Sequence, residues 1–197
     1  MVNQEIKKLS AFELDDVVKI HMAALPEDAL PNLGKQTLNA YYESVLSDNS
    51  QYLFGVISEK RVLGFCLVSI GRIGLGRLFC SLRGLFSLTF LIVRHPRIFY
   101  SGVKQAMKTL PLDTGAAEIS FIAVDPECQG VGLGKSLLDY AIQICKDEKV
   151  ATVQTKTSNQ RLRNFYLREY GAVEVDSCAV GGKLYSLLRW STNLTAP

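Results

Sequence analysis

Apolar positions near the start of the chain recur at intervals of three and four. Leu14, Val17, Val18, His21 and Leu25 share one helical face, which predicts a helix from about Ser10 that Pro26 closes. A short strand over Gln4 to Leu9 precedes it. Lys35 to Leu46 repeats the helical spacing through Leu38, Tyr41, Tyr42 and Val45. The period then drops to two: Tyr52 to Ile57 and Val62 to Ile70 are rich in β-branched and aromatic residues, and the four polar residues between them predict a hairpin.

After a stretch that mixes glycines, arginines and the apolar run 85–93, the pattern is regular again from Ala116. A strand to Val124, a glycine-rich turn and a helix to about Lys146 are expected. Leu133, Leu137, Leu138, Ala141, Ile142 and Cys145 form the buried side of that helix. A strand at Val150 to Thr155 and a helix from Ser158 follow. Ala172 to Val180 and Lys183 to Trp190 read as two strands joined at Gly181-Gly182, a favoured hairpin turn. No repeat interrupts this order, so residues 1–197 are read as one domain with a basic, apolar insertion at about 71–111.

Charge changes this picture more than composition does. The total is only +3, yet no Asp or Glu occurs from Lys60 to Leu112, where nine Lys and Arg stand, leaving −6 for the remainder by difference. Such asymmetry implies an anionic neighbour, either an acceptor carrying phosphate or carboxylate or a membrane surface met peripherally through 72–108. The run 85–93 is too short to span a bilayer. The basic stretch lacks a nucleic-acid-binding motif, so no nucleic-acid partner is expected. Five cysteines without CxxC spacing and only two histidines offer no zinc-ligand set, so no metal is expected. The first residues carry neither an apolar run nor a small-residue cleavage site, which points to a cytoplasmic location.

The candidate chemistry lies in Gln129-Gly130-Val131-Gly132-Leu133-Gly134-Lys135-Ser136, between a strand and a helix. Glycines there allow a tight turn and leave backbone N–H groups bare at a helix N-terminus, an arrangement suited to phosphate. The nucleotide P-loop would require glycine at position 129, which is Gln129, and the dinucleotide fingerprint would require it at Lys135 or Leu137. Both patterns fail. What the segment resembles is the pyrophosphate loop of the GCN5-related N-acetyltransferase (GNAT) family, Gln/Arg-x-x-Gly-x-Gly/Ala after a strand ending in Val-x-Pro. Ile122-Ala123-Val124-Asp125-Pro126 and the loop follow that motif almost position by position. Asn159-Gln160-Arg161-Leu162-Arg163-Asn164-Phe165-Tyr166 resembles the family's second motif, with Asn and Tyr seven apart, departing at Leu162 and at Ala172 where Ala and Phe are usual.

The resemblance implies an α/β (α+β) fold. Its central sheet is mixed and mostly antiparallel, of six to seven strands flanked by four helices, with two strands splayed at a cofactor cleft. It implies acetyl-CoA as donor and a small-molecule primary amine as acceptor, acetylated by direct attack through a tetrahedral intermediate. Ile122, Ala123 and Val124 would pair with the pantetheine arm. Backbone amides from Gln129 through Gly130, Val131, Gly132, Leu133, Gly134 and Lys135, with Ser136 following, would hold the pyrophosphate, and Asn159 and Tyr166 would complete the site. Tyr166 would protonate the departing thiolate. Glu118, six residues before Val124, stands where histone-type members carry a catalytic glutamate. Strand alternation places Glu118, Ser120, Ile122 and Val124 on one face, and burial there would raise the carboxyl toward the range of a general base. Acceptor recognition would fall to 23–39 and 71–111. The same fold also serves a non-catalytic acyl-CoA sensor or a membrane-associated module, and fold alone does not choose between them.

Overall fold

A computed structural model of the protein describes residues 4–26, 31, 34–71, 112–180 and 182–193. The insertion from residue 72, its apolar run and the membrane contact expected of it, together with parts of 23–39, lie outside the described residues. Seven strands occur among the described residues: β1 (Glu5–Lys8), β2 (Gln51–Ser58), β3 (Arg61–Ile70), β4 (Ala117–Val124), β5 (Thr152–Thr157), β6 (Val173–Val180) and β7 (Lys183–Ser191). Four α-helices accompany them: α1 (Leu14–Ala24), α2 (Lys35–Leu46), α3 (Leu133–Asp147) and α4 (Gln160–Glu169). The strands form one sheet in the order β1-β2-β3-β4-β5-β7-β6. Every neighbouring pair is antiparallel except β4 with β5.

Each face of the sheet has its own core. On one side, Leu14, Val17 and Val18 of α1 and Leu38, Tyr42 and Val45 of α2 pack on Leu53, Val62, Phe65 and Leu67. On the other, Leu133, Leu137, Leu138, Ala141 and Cys145 of α3 and Tyr166 of α4 pack on Phe54, Cys66, Val68, Val153 and Trp190. The helical stripes read from the sequence therefore meet alternating residues of the same strands, the expected result when periods of 3.6 and 2 share a core. A capping box starts the α1 segment: Ser10 takes the Phe12 amide and Glu13 returns to the Ser10 amide at 2.9 Å. The β2–β3 turn carries Glu59 and Lys60 at φ 50° and 68°, the left-handed pair that a two-residue hairpin needs.

Two features depart from the sequence reading. Strand β5 begins at Thr152 and runs to Thr157, two residues later than expected. Its start is delayed because the Val150 amide still closes the end of α3 on the Cys145 carbonyl, at 2.8 Å. In β4, register against β3 jumps from Leu67↔Phe121 to Val68↔Ile119, leaving Ser120 as the extra residue of a β-bulge. A bulge reverses which residues point to which face. Ala117, Ile119, Ile122 and Val124 accordingly pack on the α3/α4 core, whereas Phe121 and Ala123 pack on the α1/α2 core. Glu118 pairs in register with Ser69, and the Ser69 and Ser120 hydroxyls meet at 3.1 Å on the α1/α2 side. The expectation that Glu118, Ser120, Ile122 and Val124 share a face is thus corrected: the first two face α1/α2 and the last two face α3.

Candidate functional site

The sheet opens in its middle. Strands β4 and β5 pair only at Ala117↔Val153 and Glu118↔Gln154, although β4 continues to Val124 and β5 to Thr157. At the fork the Thr155 hydroxyl donates to the Ile119 carbonyl, 2.9 Å, closing the last ladder position with a side chain. From Ser120 to Val124 the β5-facing edge of β4 has no strand partner among the described residues. Backbone polar groups demand partners, so this edge is suited to an extended chain that brings its own amides.

The glycine turn sits at the end of that edge and is held from below. The Asp125 amide donates to the Leu63 carbonyl at 2.8 Å, its carboxylate accepts from the Glu127 amide at 3.1 Å, and Arg61 reaches the same carboxylate at 2.5 Å. The Gln129 side-chain amide donates to the Val124 carbonyl at 3.0 Å. Gly130 and Gly132 have φ of 84° and 90°, the left-handed region where a side chain is strained, and Gly132 is the N-cap of α3. The first bond of α3 runs from the Ser136 amide to the Gly132 carbonyl at 3.1 Å. The amides of Leu133, Gly134 and Lys135 therefore have no acceptor within the helix, and the α3 dipole adds positive potential where they point. Ser136 is exposed, and its amide and hydroxyl are both directed to the Gly132 carbonyl. The half-exposed Lys135 ammonium lies 3.3 Å from the Asp139 carboxylate and 5.3 Å from the centre of the Tyr170 ring.

Tyr166 is fully buried in the α3/α4 core, stacked on Trp190 with ring centroids 5.2 Å apart. Among the described residues its hydroxyl has no hydrogen-bond partner, and neither has the neighbouring indole nitrogen of Trp190. Burial raises the phenol above its ordinary range, and Cys66 of β3 adds to the effect. An unpaired buried hydroxyl is costly, so its retention fits a group that acquires its partner from a ligand. Asn159 is exposed at the start of α4. It is the N-cap of α4, accepting the Leu162 amide at 3.1 Å, and it lines an open polar cleft of about 600 Å3 with Thr157, Arg163, Glu174, Lys183 and Ser186.

Glu118 lies on the opposite face of the sheet from Tyr166. Burial holds its carboxyl above the usual range, with the Lys156 ammonium opposing. Tyr41, half-buried on α2, feels the Glu118 charge, and its ring meets Phe121 at 6.0 Å. Beneath them, fully buried His21 places Nδ1 2.6 Å from the Tyr42 hydroxyl, and burial depresses the imidazole to about 4. Sequence reasoning overlooked Lys156, Thr155 and the Arg61–Asp125 brace. The first two sit where β5 was expected to end, and the brace joins residues 64 positions apart.

Comparison with known proteins agrees with this geometry. A family model, the acetyltransferase (GNAT) family, matches residues 14–172. The chain belongs to the GNAT acetyltransferases. Solved structures share the GNAT fold over nearly the whole chain. The ribosomal-protein-S18-alanine N-acetyltransferase of Escherichia coli is 16% identical, with 98% of this chain and 97% of that one covered and a TM-score of 0.62. An N-acetyltransferase from Staphylococcus aureus Mu50 is 14% identical over 97% and 99% of the two chains, with a TM-score of 0.61. The PaiA N-acetyltransferase of Thermoplasma acidophilum, solved in complex with coenzyme A, is 14% identical over 96% and 99%, with a TM-score of 0.59. No curated protein matches the sequence. At these identities the likeness of structures speaks for the fold alone, and the mixed seven-stranded GNAT sheet is the fold expected.

Proposed function

We propose that the protein is an N-acetyltransferase that moves an acetyl group from acetyl-CoA to the primary amine of a small, anionic acceptor such as an amino sugar. The observation that carries the reading is the opening between β4 and β5, with bare helix amides at its end, a partnerless phenol on one face and a partly buried carboxylate on the other. The residues present fit the cofactor. The unpartnered edge of β4 suits the amides of a pantetheine arm, and the amides of Leu133, Gly134 and Lys135 suit its pyrophosphate. Bound there, acetyl-CoA supplies an activated thioester.

The chain's own residues account for the remaining steps. The Val124 backbone N–H, turned to the open edge because the neighbouring Asp125 amide bonds β3, donates to the thioester carbonyl as negative charge develops on it. Glu118 accepts a proton from the acceptor's ammonium, directly or through water, and burial, which raises its carboxyl, strengthens it as a base. Burial keeps Tyr166 protonated, and its hydroxyl donates toward the departing sulfur. The two groups stand on opposite sides of the gap, so acceptor and leaving group are handled separately. The anionic character of the acceptor rests on the acid-free, +9 stretch from Lys60 to Leu112.

The test is CoA release from acetyl-CoA against amino sugars and their phosphates, polyamines, amino acids and peptides, with acceptor-free blanks. Turnover that favours anionic amines over polyamines supports the reading. Acetyl-CoA binding without turnover on any amine supports the non-catalytic sensor instead, and failure to bind acetyl-CoA overturns both.

A further inference from the structure

We propose that Lys156 is a positioning residue of the acetyl-transfer site, whose ammonium keeps Glu118 an ionised carboxylate facing the acceptor. The inference deepens the proposed function and rests on the reading of Glu118 as the base. The sequence gives no reason to pair the two, which are 38 positions apart and belong to different motifs. The register places them on one face of the sheet, at the fork. Glu118 and Gln154 are directly opposed at the last rung of the parallel ladder. Val153 packs on the α3/α4 core and Leu188, the partner of Thr155, does the same, so Gln154 and Lys156 face the other way, as Glu118 does. Lys156 is therefore the next residue beyond the rung on the Glu118 face, at the mouth of the gap. The Thr155 bond to the Ile119 carbonyl anchors β5 against β4 at this level and sets where the Lys156 stem begins.

Among the described residues that line this face, Lys156 is the one that supplies a counter-charge to the carboxyl. From α1 comes His21, neutral because burial depresses it to about 4. Tyr41 of α2 presents a phenol that burial raises, and β3 and β4 present the Ser69 and Ser120 hydroxyls, bonded to each other. Gln154 of β5 is taken by Asp113, receiving its amide at 3.1 Å and donating to its carbonyl at 2.7 Å. Arg189 of β7 is directed to the Asp113 carboxylate at 3.8 Å and to Gln154 at 3.5 Å. Lys156 is itself half-buried, and burial lowers its ammonium while Glu118 and then Cys178 oppose that. A carboxylate and an ammonium that each lose hydration are retained in charged form through one another, and removing one strands the other. An unpaired Glu118 would take up a proton and could no longer receive one from the acceptor.

The test follows the Glu118 carboxyl by carbon-13 NMR titration of the full chain labelled at glutamate, the resonance being assigned by its loss in Glu118→Gln. In Lys156→Met the titration midpoint is expected to rise by about one pH unit or more, the size of effect an adjacent opposite charge exerts. Lys156→Arg restores it, and Lys156→Gln substitutes for Met should that variant not fold. The acid limb of kcat/KM moves with the midpoint. An unchanged midpoint in a folded Lys156 variant overturns the pairing. If the midpoint moves but Glu118→Gln turns over like the wild type, Glu118 is not the base, and the catalytic role of Lys156 falls with it.

Discussion

A methyl group added at Gly64 would press on the part of β4 that edges the open cleft. Its Cβ would stand 3.0 Å from the Ala123 carbonyl oxygen and 3.1 and 3.2 Å from Cγ2 and Cα of Val124. Two of these atoms are backbone, so the strand itself must give by a few tenths of an ångström. Overpacking of this kind costs about 1–3 kcal/mol, offset in part by about 0.4–1 kcal/mol because alanine restricts the unfolded chain more than glycine does. At about 2–4 °C per kcal/mol for a chain of this size, a fall in Tm of several degrees is expected. The same displacement lengthens hydrogen bonds from the Ala123–Val124 backbone to the pantetheine arm. Losing one such bond, worth about 0.5–1.5 kcal/mol net, weakens acetyl-CoA roughly two- to tenfold. Gly55→Ala is the control. Its Cβ would lie 2.7 Å from the Gly64 carbonyl oxygen and 3.1 Å from a Leu9 methyl, an equal or worse clash whose nearest atoms belong to Leu9 and β3 rather than to β4. Thermal unfolding and isothermal titration with acetyl-CoA, run on both variants, decide the matter. Gly55→Ala should lose stability and keep its Kd, whereas Gly64→Ala should lose both. Equal affinity loss in the two variants, or none in a destabilised Gly64→Ala, would refute the assignment of the β4 backbone as a cofactor contact.

Tyr166→Phe removes a buried hydroxyl that has no partner, so its Tm should equal or exceed that of the wild type while kcat falls by about a hundredfold or more, the usual size of a lost general acid. Acetyl-CoA titration should show Kd little changed; a loss of stability or an unchanged kcat would contradict the role. His21 is held neutral by burial, with a folded value of about 4 against 6.5 when unfolded. Between those values the unfolded chain binds the extra proton, so this contribution is fully present above pH 6.5 and lost as pH falls toward 4, on the order of 3 kcal/mol in all. Denaturant unfolding across that window checks the slope, and a His21 ring resonance titrating near 6.5 in the folded protein would remove its cause. Thr155→Val strips the Ile119 carbonyl of its donor at the fork and should cost about 1–3 kcal/mol in a denaturant melt. Thr155→Ser, which keeps the hydroxyl, should recover most of that loss.

Much of this molecule is decided by local pattern. The α2 boundaries, the β2–β3 hairpin and the α3 stripe follow from spacing, because a helix or strand that buries one face writes its period into the chain. The loop from Gln129 to Lys135 is equally local: two glycines at positive φ and a helix start create bare amides wherever the segment sits. What the chain alone could not disclose depends on partners far away in sequence. The Ser120 bulge appears only when β4 is laid against β3, and it reverses the facing of Glu118 relative to Val124. The opening of the sheet and the placing of Glu118 and Lys156 on one face beside it both arise from one parallel ladder that stops after two rungs. Register between strands is a tertiary quantity, set by both cores at once, and it decides which side chains face each other across the gap.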